Sequence, residues 1–518
     1  MPEGVSITHP DFGAANYATL IVYLLGMVAI GFYCSRHIKG AKGYFIADGK
    51  LNHIAVGLSL VGTYLSALTM MALSGVAFGP LDMTWTVQLP FLILTAIVIT
   101  KWVLPRYRDE GVISVYEFLE KRIHISSRLM AAICFIAFGV ARMGIVLYLP
   151  ALAFHIITGF DLATTIVIMG LVITLYTVIG GIEAVVYTDA IQVILFSLAA
   201  VLSIYFIFSG MGDHDFWAIA REHNKFRTFD WSLDPRKLAT FWLVSQTIFE
   251  TIRIYGSQQD MTQRYMTTET TKKANISVWI SILAYIPLGY AFYFIGASLF
   301  VFYQANPDEN VVTLAKSIAD GGANKKDAIY PYFIATQLPA GLAGAVIAAI
   351  FAAAMSSIDS LLNSTSTVIV EDFYKRFSKS EISDEAALKT ARILTIILGV
   401  ITVGAALSFM KEDTGMQIVF NRVMSILTNG VLGLMFLAFL PIRVNKWAAA
   451  IGFLTSYACL LFLMYGDQQI LGFAEGEKVS FLVRPVVCNP VCVIVALLVN
   501  AVMPKEKASG DEGAAEEE

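Results

Sequence analysis

The sequence predicts an all-α, polytopic membrane protein. Of its 518 residues 57% are hydrophobic and only 15% are charged, and the mean hydropathy is +0.68. Apolar runs of roughly 20 residues, the length an α-helix needs to cross a bilayer, recur along the whole chain. The Lys and Arg residues cluster in alternate connections, which sets an orientation.

Taken in order, the apolar runs lie at about 15–35, 52–79, 83–104, 127–157, 163–181, 184–209, 237–261, 273–303, 330–370, 386–410, 415–441, 447–466 and 480–503, about 13 helices. The first has no basic segment before it and no small-residue cleavage site after it, so it reads as a retained helix. No Lys or Arg precedes residue 36, whereas Arg36, Lys39, Lys42 and Lys50 follow at once. Lys101, Arg106, Arg108, Lys121, Arg122, Arg128, Arg264, Lys272, Lys273, Lys375, Arg376 and Lys379 fall in connections on that same side. The positive-inside rule then places the N-terminus outside and the C-terminus inside. Residues 504–518 are charged, lack apolar anchors and read as a disordered acidic tail.

The second run is interrupted. Gly62, Thr63, Tyr64, Ser66 and Thr69 sit in its middle, and backbone freed at half-depth persists only where protein or a wet cavity satisfies it. Such a segment points to a solute or ion site; small residues packing one helix on its neighbours is the plainer alternative. Setting aside the first helix and the last two leaves ten, or two sets of five entering from opposite sides. Residues 252–257, with Arg253 and Gly256, would give the second set an irregular first helix of its own.

Polar groups inside the remaining runs carry the chemistry. On the ninth, Ala353, Ser356, Ser357 and Ser360 share one face by their i, i+3, i+4, i+7 spacing, and Asp359 borders it. A desolvated Na⁺ takes hydroxyls, backbone carbonyls and carboxylates, although a serine can also bond the i−4 carbonyl of its own helix. Asp359 and Asp189 are costly at mid-membrane; they read as a cation site or as partners of a Lys or Arg at a helix end. Arg142, halfway along its helix, needs a carboxylate, either from a ligand or from Asp189, Glu183 or Asp359. Glu250 and Arg253, three apart, read as a pair, and Arg422 stays unassigned. Five scattered cysteines without a completing His set read as free thiols. No nucleophile–base pair, phosphate loop or metal-ligand set marks an enzyme, and nothing points to nucleic acid.

These residues resemble the sodium/solute symporter family from about residue 15 to 441. The most specific stretches are 176–192 (YTVIGGIEAVVYTDAIQ) and 352–367 (AAAMSSIDSLLNSTST); VYEFLEKR, ARMGIVLYLPALA and QRYMTT are similar to the bacterial sialic acid symporters within it. The resemblance implies a LeuT-like 5+5 inverted repeat with flanking helices. The chain would divide into an N-terminal helix and connection (1–51), a ten-helix core (52–441), two C-terminal helices (442–503) and the tail. One Na⁺ would be held by the carbonyls of Gly62, Leu65 and Ala353 and the hydroxyls of Ser356 and Ser357. A possible second would sit between Asp189, Ser356, Asp359 and Ser360. Asp359 stands where those carriers have serine; the extra carboxylate either tightens cation binding or keeps a proton and abolishes the site. The solute positions correspond to Tyr64, Ser66, Thr69, Gln88 and Arg142, with Tyr64 bulkier than the family's threonine.

The implied function is Na⁺-coupled import of a small organic anion, an acidic sugar such as sialic acid, by a monomer in the inner membrane. A monocarboxylate, proline-like or neutral solute is the alternative within transport. A non-transporting membrane solute sensor is the alternative outside it.

Overall fold

A computed structural model describes residues 12–36, 38, 40–79, 83–312, 327–411, 416–466 and 479–503, and every regular element among them is helical. The acidic tail lies outside the described residues. The principal helices are α1 (Gly13–Ser35), α2 (His53–Tyr64), α3 (Ala67–Phe78), α4 (Thr84–Asp109), α5 (Ile125–Thr158), α6 (Leu162–Ser209), α7 (Thr240–Ser257) and α8 (Gln259–Met266). They continue as α9 (Thr271–Ala305), α10 (Leu342–Phe377), α11 (Asp384–Ser408), α12 (Met416–Leu427), α13 (Val431–Phe439), α14 (Lys446–Tyr465) and α15 (Val483–Val502).

Among the described residues nine helices are long and apolar enough to span a membrane, or up to 11 spans if the bent pairs α2/α3 and α12/α13 each count as one. Two places account for the difference from the sequence expectation. The α6 run contains the two apolar segments at 163–181 and 184–209, which meet at Gly181 with φ 54° and ψ −158°. A Cβ there would lie 2.8 Å from the Tyr44 ring and 2.9 Å from its carbonyl, so only glycine allows this turn. The other place is α7, where Gln246, Glu250 and Arg253 interrupt the apolar run.

Three boundaries correct the sequence reading. The single run expected at 330–370 is two helices: Ile329–Gln337 ends before Pro339, which forces Leu338 into extended backbone, and Gly341 at φ 87° starts α10. The run at 415–441 is bent by 41° where Gly430 takes φ 74°. The irregularity expected at 252–257 falls one residue later, because α7 stays helical through Ser257 and Gln258 is extended.

α10 is the axis of the fold. Within its most apolar window 94% of residues are buried, and it packs on α1, α5 and α6. Near its C-terminal end Asp372 accepts from Arg128 at 2.6 Å and Ser114 at 2.5 Å, while Glu120 takes Arg128 at 2.6 Å and Arg376 at 2.8 Å. That ionic knot pins α10 to the start of α5. Elsewhere α3 lies backbone-to-backbone on α9: a Cβ at Gly296 would stand 2.1 Å from the Ser74 carbonyl oxygen.

Candidate cation and solute site

The α2/α3 interruption supplies the site. α2 stops at Tyr64 because Leu65 and Ser66 are extended (ψ 139° and 174°), and α3 departs at 53°. Leu65 N–H still bonds the Val61 carbonyl at 2.7 Å. The carbonyls beyond it have lost the turn that would have satisfied them. Side chains from distant helices take three of them. Ser356 Oγ donates to Gly62 O at 2.9 Å, Ser357 Oγ donates to Leu65 O at 3.2 Å, and Arg142 Nη2 donates to Thr63 O at 3.0 Å. Ser356 Oγ is also 3.3 Å from Ala353 O. Gly62, Leu65, Ala353, Ser356 and Ser357 are thus brought together as neutral oxygens at one point. That donor set suits a hard monovalent cation and not a transition metal. Among the described residues no group of three or more His, Cys, Asp or Glu could hold a metal ion.

Beside it lies a cavity of about 220 Å³ lined by Tyr64, Ser66, Thr69, Gln88 and Arg142, all five of the solute positions read from the sequence. Ser66 N–H bonds Thr69 Oγ1 at 3.3 Å, which sets both side chains at the start of α3. Gln88 is oriented by Thr247 at 2.5 Å and Tyr293 at 3.4 Å. The Tyr64 ring stands edge-on to Tyr285 and near Tyr255, so its bulk is part of the wall. α7 forms the facing side with Glu250 and Arg253, paired as expected at 3.0 Å. The start of α15 and the two residues before it reach the same cavity: Phe481, Leu482, Arg484, Pro485 and Asn489 line it.

Arg142, only 6% exposed, does not bridge to Asp189, Glu183 or Asp359. Its nearest carboxylate is Asp260, at 3.8 Å, a residue the sequence reading passed over. Asp189 bonds Ser59 at 2.6 Å and Arg264 at 3.0 Å, and Arg264 also reaches Ser360 Oγ at 2.5 Å. Hydropathy assigns Arg264 to a connection, yet its side chain is fully buried and lies between Asp189 and Ser360, where the sequence predicts a second Na⁺. Asp359 accepts from Tyr176 at 2.6 Å and lies 3.3 Å from Ser360 Oγ. The polar run QQDMTQR around Asp260 and Arg264 was the signal available: a short amphipathic stretch directly after a predicted irregular helix.

A helix broken at mid-course, with hydroxyls from a distant helix on its free carbonyls and a buried guanidinium in the adjoining cavity, defines an ion-coupled solute carrier. Residues 44–456 match the sodium:solute symporter family, and the chain belongs to it. It is therefore a transporter coupled to Na⁺ and not an enzyme, as the sequence reading had it. It is 34% identical over 464 residues to the sodium/sialic acid symporter SiaT of Proteus mirabilis, covering 88% of this chain and 91% of that one. The sodium/sialic acid symporter NanT of Aliivibrio fischeri is 31% identical over 499 residues, 92% and 94% of the two chains. A solved substrate-bound, outward-open Na⁺-coupled sialic acid symporter superposes with a TM-score of 0.85 at 31% identity, over 96% of this chain and 100% of that chain. A nucleobase-cation-symport-1 family transporter at 13% identity and a TM-score of 0.55, over 88% and 92% of the two chains, shares the fold alone.

Proposed function

We propose that this chain imports sialic acid, or an acidic sugar close to it, together with Na⁺. One observation carries the reading: the Arg142 guanidinium opens into the same cavity as Ser66, Thr69 and Gln88 while bonding Thr63 O, inside the backbone turn that offers Gly62 O and Leu65 O to a cation. Arg142 holds the solute carboxylate through its planar fork. Ser66, Thr69 and Gln88 hydrogen-bond its hydroxyl and amide groups, and Tyr64 limits its width. Na⁺ at Gly62, Leu65, Ala353, Ser356 and Ser357 ties α2 to α10 and orders the turn that positions Arg142. Asp189, Asp359 and Ser360 are the candidate for a second cation only if Arg264, whose guanidinium stands between Asp189 and Ser360, moves aside.

In this reading residues 52–441 are a 5+5 inverted repeat in which α2/α3 and α7/α8 are the paired broken helices. The one at 1–51 and the two at 442–503 flank it, giving thirteen spans with the N-terminus outside. The carrier works as a monomer in the inner membrane. Each Na⁺ moving down a potential of ~100 mV contributes roughly 2.3 kcal/mol, nearly fifty-fold in solute accumulation.

The test is uptake of labelled N-acetylneuraminate into proteoliposomes, with ²²Na⁺ flux followed in parallel. Uptake requiring Na⁺, with solute-dependent ²²Na⁺ entry, is expected; uptake unchanged when choline replaces Na⁺ refutes it. Solute binding without any ²²Na⁺ movement would mark a sensor instead.

A further inference from the structure

Asp260 is fully buried, and neither of its carboxylate oxygens has a hydrogen-bond partner among the described residues. A carboxylate in that state persists only beside a compensating charge. Three guanidiniums act on it, those of Arg142, Arg264 and Arg253, and Arg253 is paired with Glu250. Arg264 is committed elsewhere, bonding Asp189, Ser59, Ser360 and the backbone carbonyl of Asp260. That leaves Arg142, whose Nη1 stands 3.8 Å from Asp260 Oδ2, an ion pair too long for a hydrogen bond. Arg142 therefore has Asp260 at its back and the cavity at its front.

We infer that Asp260 is the internal counter-ion of Arg142 and makes the binding of an anionic solute depend on Na⁺. The inference rests on Arg142 holding the solute carboxylate. In the empty carrier Arg142 and Asp260 balance. A solute carboxylate at the front of Arg142 brings the group to one net negative charge, which a buried site does not tolerate. The Gly62–Leu65 turn that would bind Na⁺ is the turn whose Thr63 carbonyl Arg142 already holds, so the restoring positive charge enters next to the excess. Solute and Na⁺ thus raise each other's affinity by charge balance, and the effect is reciprocal. Asp260 is a positioning and coupling residue; it touches neither solute nor ion.

The experiment is calorimetric titration of the purified full-length protein with N-acetylneuraminate in Na⁺ and in choline buffer. The wild type is expected to bind at least tenfold more tightly in Na⁺. In Asp260→Asn that ratio falls to about threefold or less, with affinity in Na⁺ kept or improved, because the loaded group is neutral without the ion. Asp260→Glu retains the wild-type ratio. A purely structural role would weaken binding in both buffers and leave the ratio intact, and that result overturns the inference, as does an equal loss of ratio in Asp260→Glu. Should Asp260→Asn not be recovered folded, thermal stabilities of Arg142→Gln and Arg142→Gln/Asp260→Asn decide: the double variant must be the more stable, and equal or lower stability overturns the inference. Wild type that binds no N-acetylneuraminate in either buffer refutes the functional reading itself, not the role of Asp260.

Discussion

Two of the broken helices, α2/α3 and α7/α8, solve one problem with different chemistry. Each interrupts a helix among buried elements and strands backbone carbonyls. At the first break Gly62 and Leu65 are capped by serine hydroxyls, small groups whose oxygens turn as readily toward a cation as toward a carbonyl. At the second break the caps are phenols: Tyr265 on Tyr255 O at 2.7 Å, Tyr107 on Gly256 O at 2.5 Å and Tyr116 on Ser257 O at 3.1 Å. Tyr265, Tyr107 and Tyr116 are themselves fully buried and come from α8, α4 and the helix Val115–Arg122. A ring held by its packing cannot follow a passing ion. Under the proposed reading, breaking a helix is therefore not enough to make an ion site; the mobility and size of what caps the break decides.

The comparison is tested hardest by Ser356→Ala/Ser357→Ala, which leaves the first break without exchangeable caps. Na⁺-driven uptake is expected to fall about 100-fold or more, the equivalent of two lost ligands at roughly 1.4 kcal/mol each or more. Half-normal ²²Na⁺ coupling in this variant would mean the ion sits elsewhere. Next, Arg142→Ala removes the charged donor from Thr63 O and from the solute; binding of N-acetylneuraminate should weaken by about 100-fold, near 3 kcal/mol. An equal loss for an uncharged sugar would show that Arg142 serves the fold and not the carboxylate. At the second break the expectation reverses. Tyr107→Phe and Tyr116→Phe should each cost about 1–3 kcal/mol of stability by orphaning a buried carbonyl, seen as a lower Tm, while the Na⁺ concentration for half-maximal uptake moves by less than about threefold. A large shift in that concentration with unchanged Tm would erase the contrast. Smallest for transport, Gly296→Ala should lower Tm through the collision with Ser74 at a contact remote from either break, and leave the ratio of Na⁺ to solute carried unaltered.

Much of the first break was legible in the sequence, because hydroxyls and glycine inside an apolar run have few purposes other than packing or a site. Ser356 and Ser357 announced themselves by helical spacing, and the five residues proposed for the solute, which share one cavity, came from the family resemblance. The second break was legible only as an irregularity. Its caps come from rings far away in sequence, and a tyrosine in an apolar run looks the same whether or not its hydroxyl is used. Asp260 and Arg264 were missed for a different reason: hydropathy treats a short charged helix as a connection, and only tertiary pairing shows that it is buried. Gly430 and Pro339–Gly341 were conventional turn signals, overlooked because the apolar runs around them were long enough to read as continuous.

The ionic knot at Asp372 has a mechanical reading. It clamps one end of the helix whose other half carries Ser356 and Ser357, leaving a lever of about 15 residues, or roughly 22 Å. A rotation of about 10° around such a fulcrum displaces the hydroxyls by roughly 4 Å, beyond the reach of an ion, while the clamp itself scarcely moves. Spin labels on α10 beside the serines and beside Asp372 should accordingly report a wide distance change relative to α2 at the first position and almost none at the second; uniform displacement along the helix would rule the pivot out.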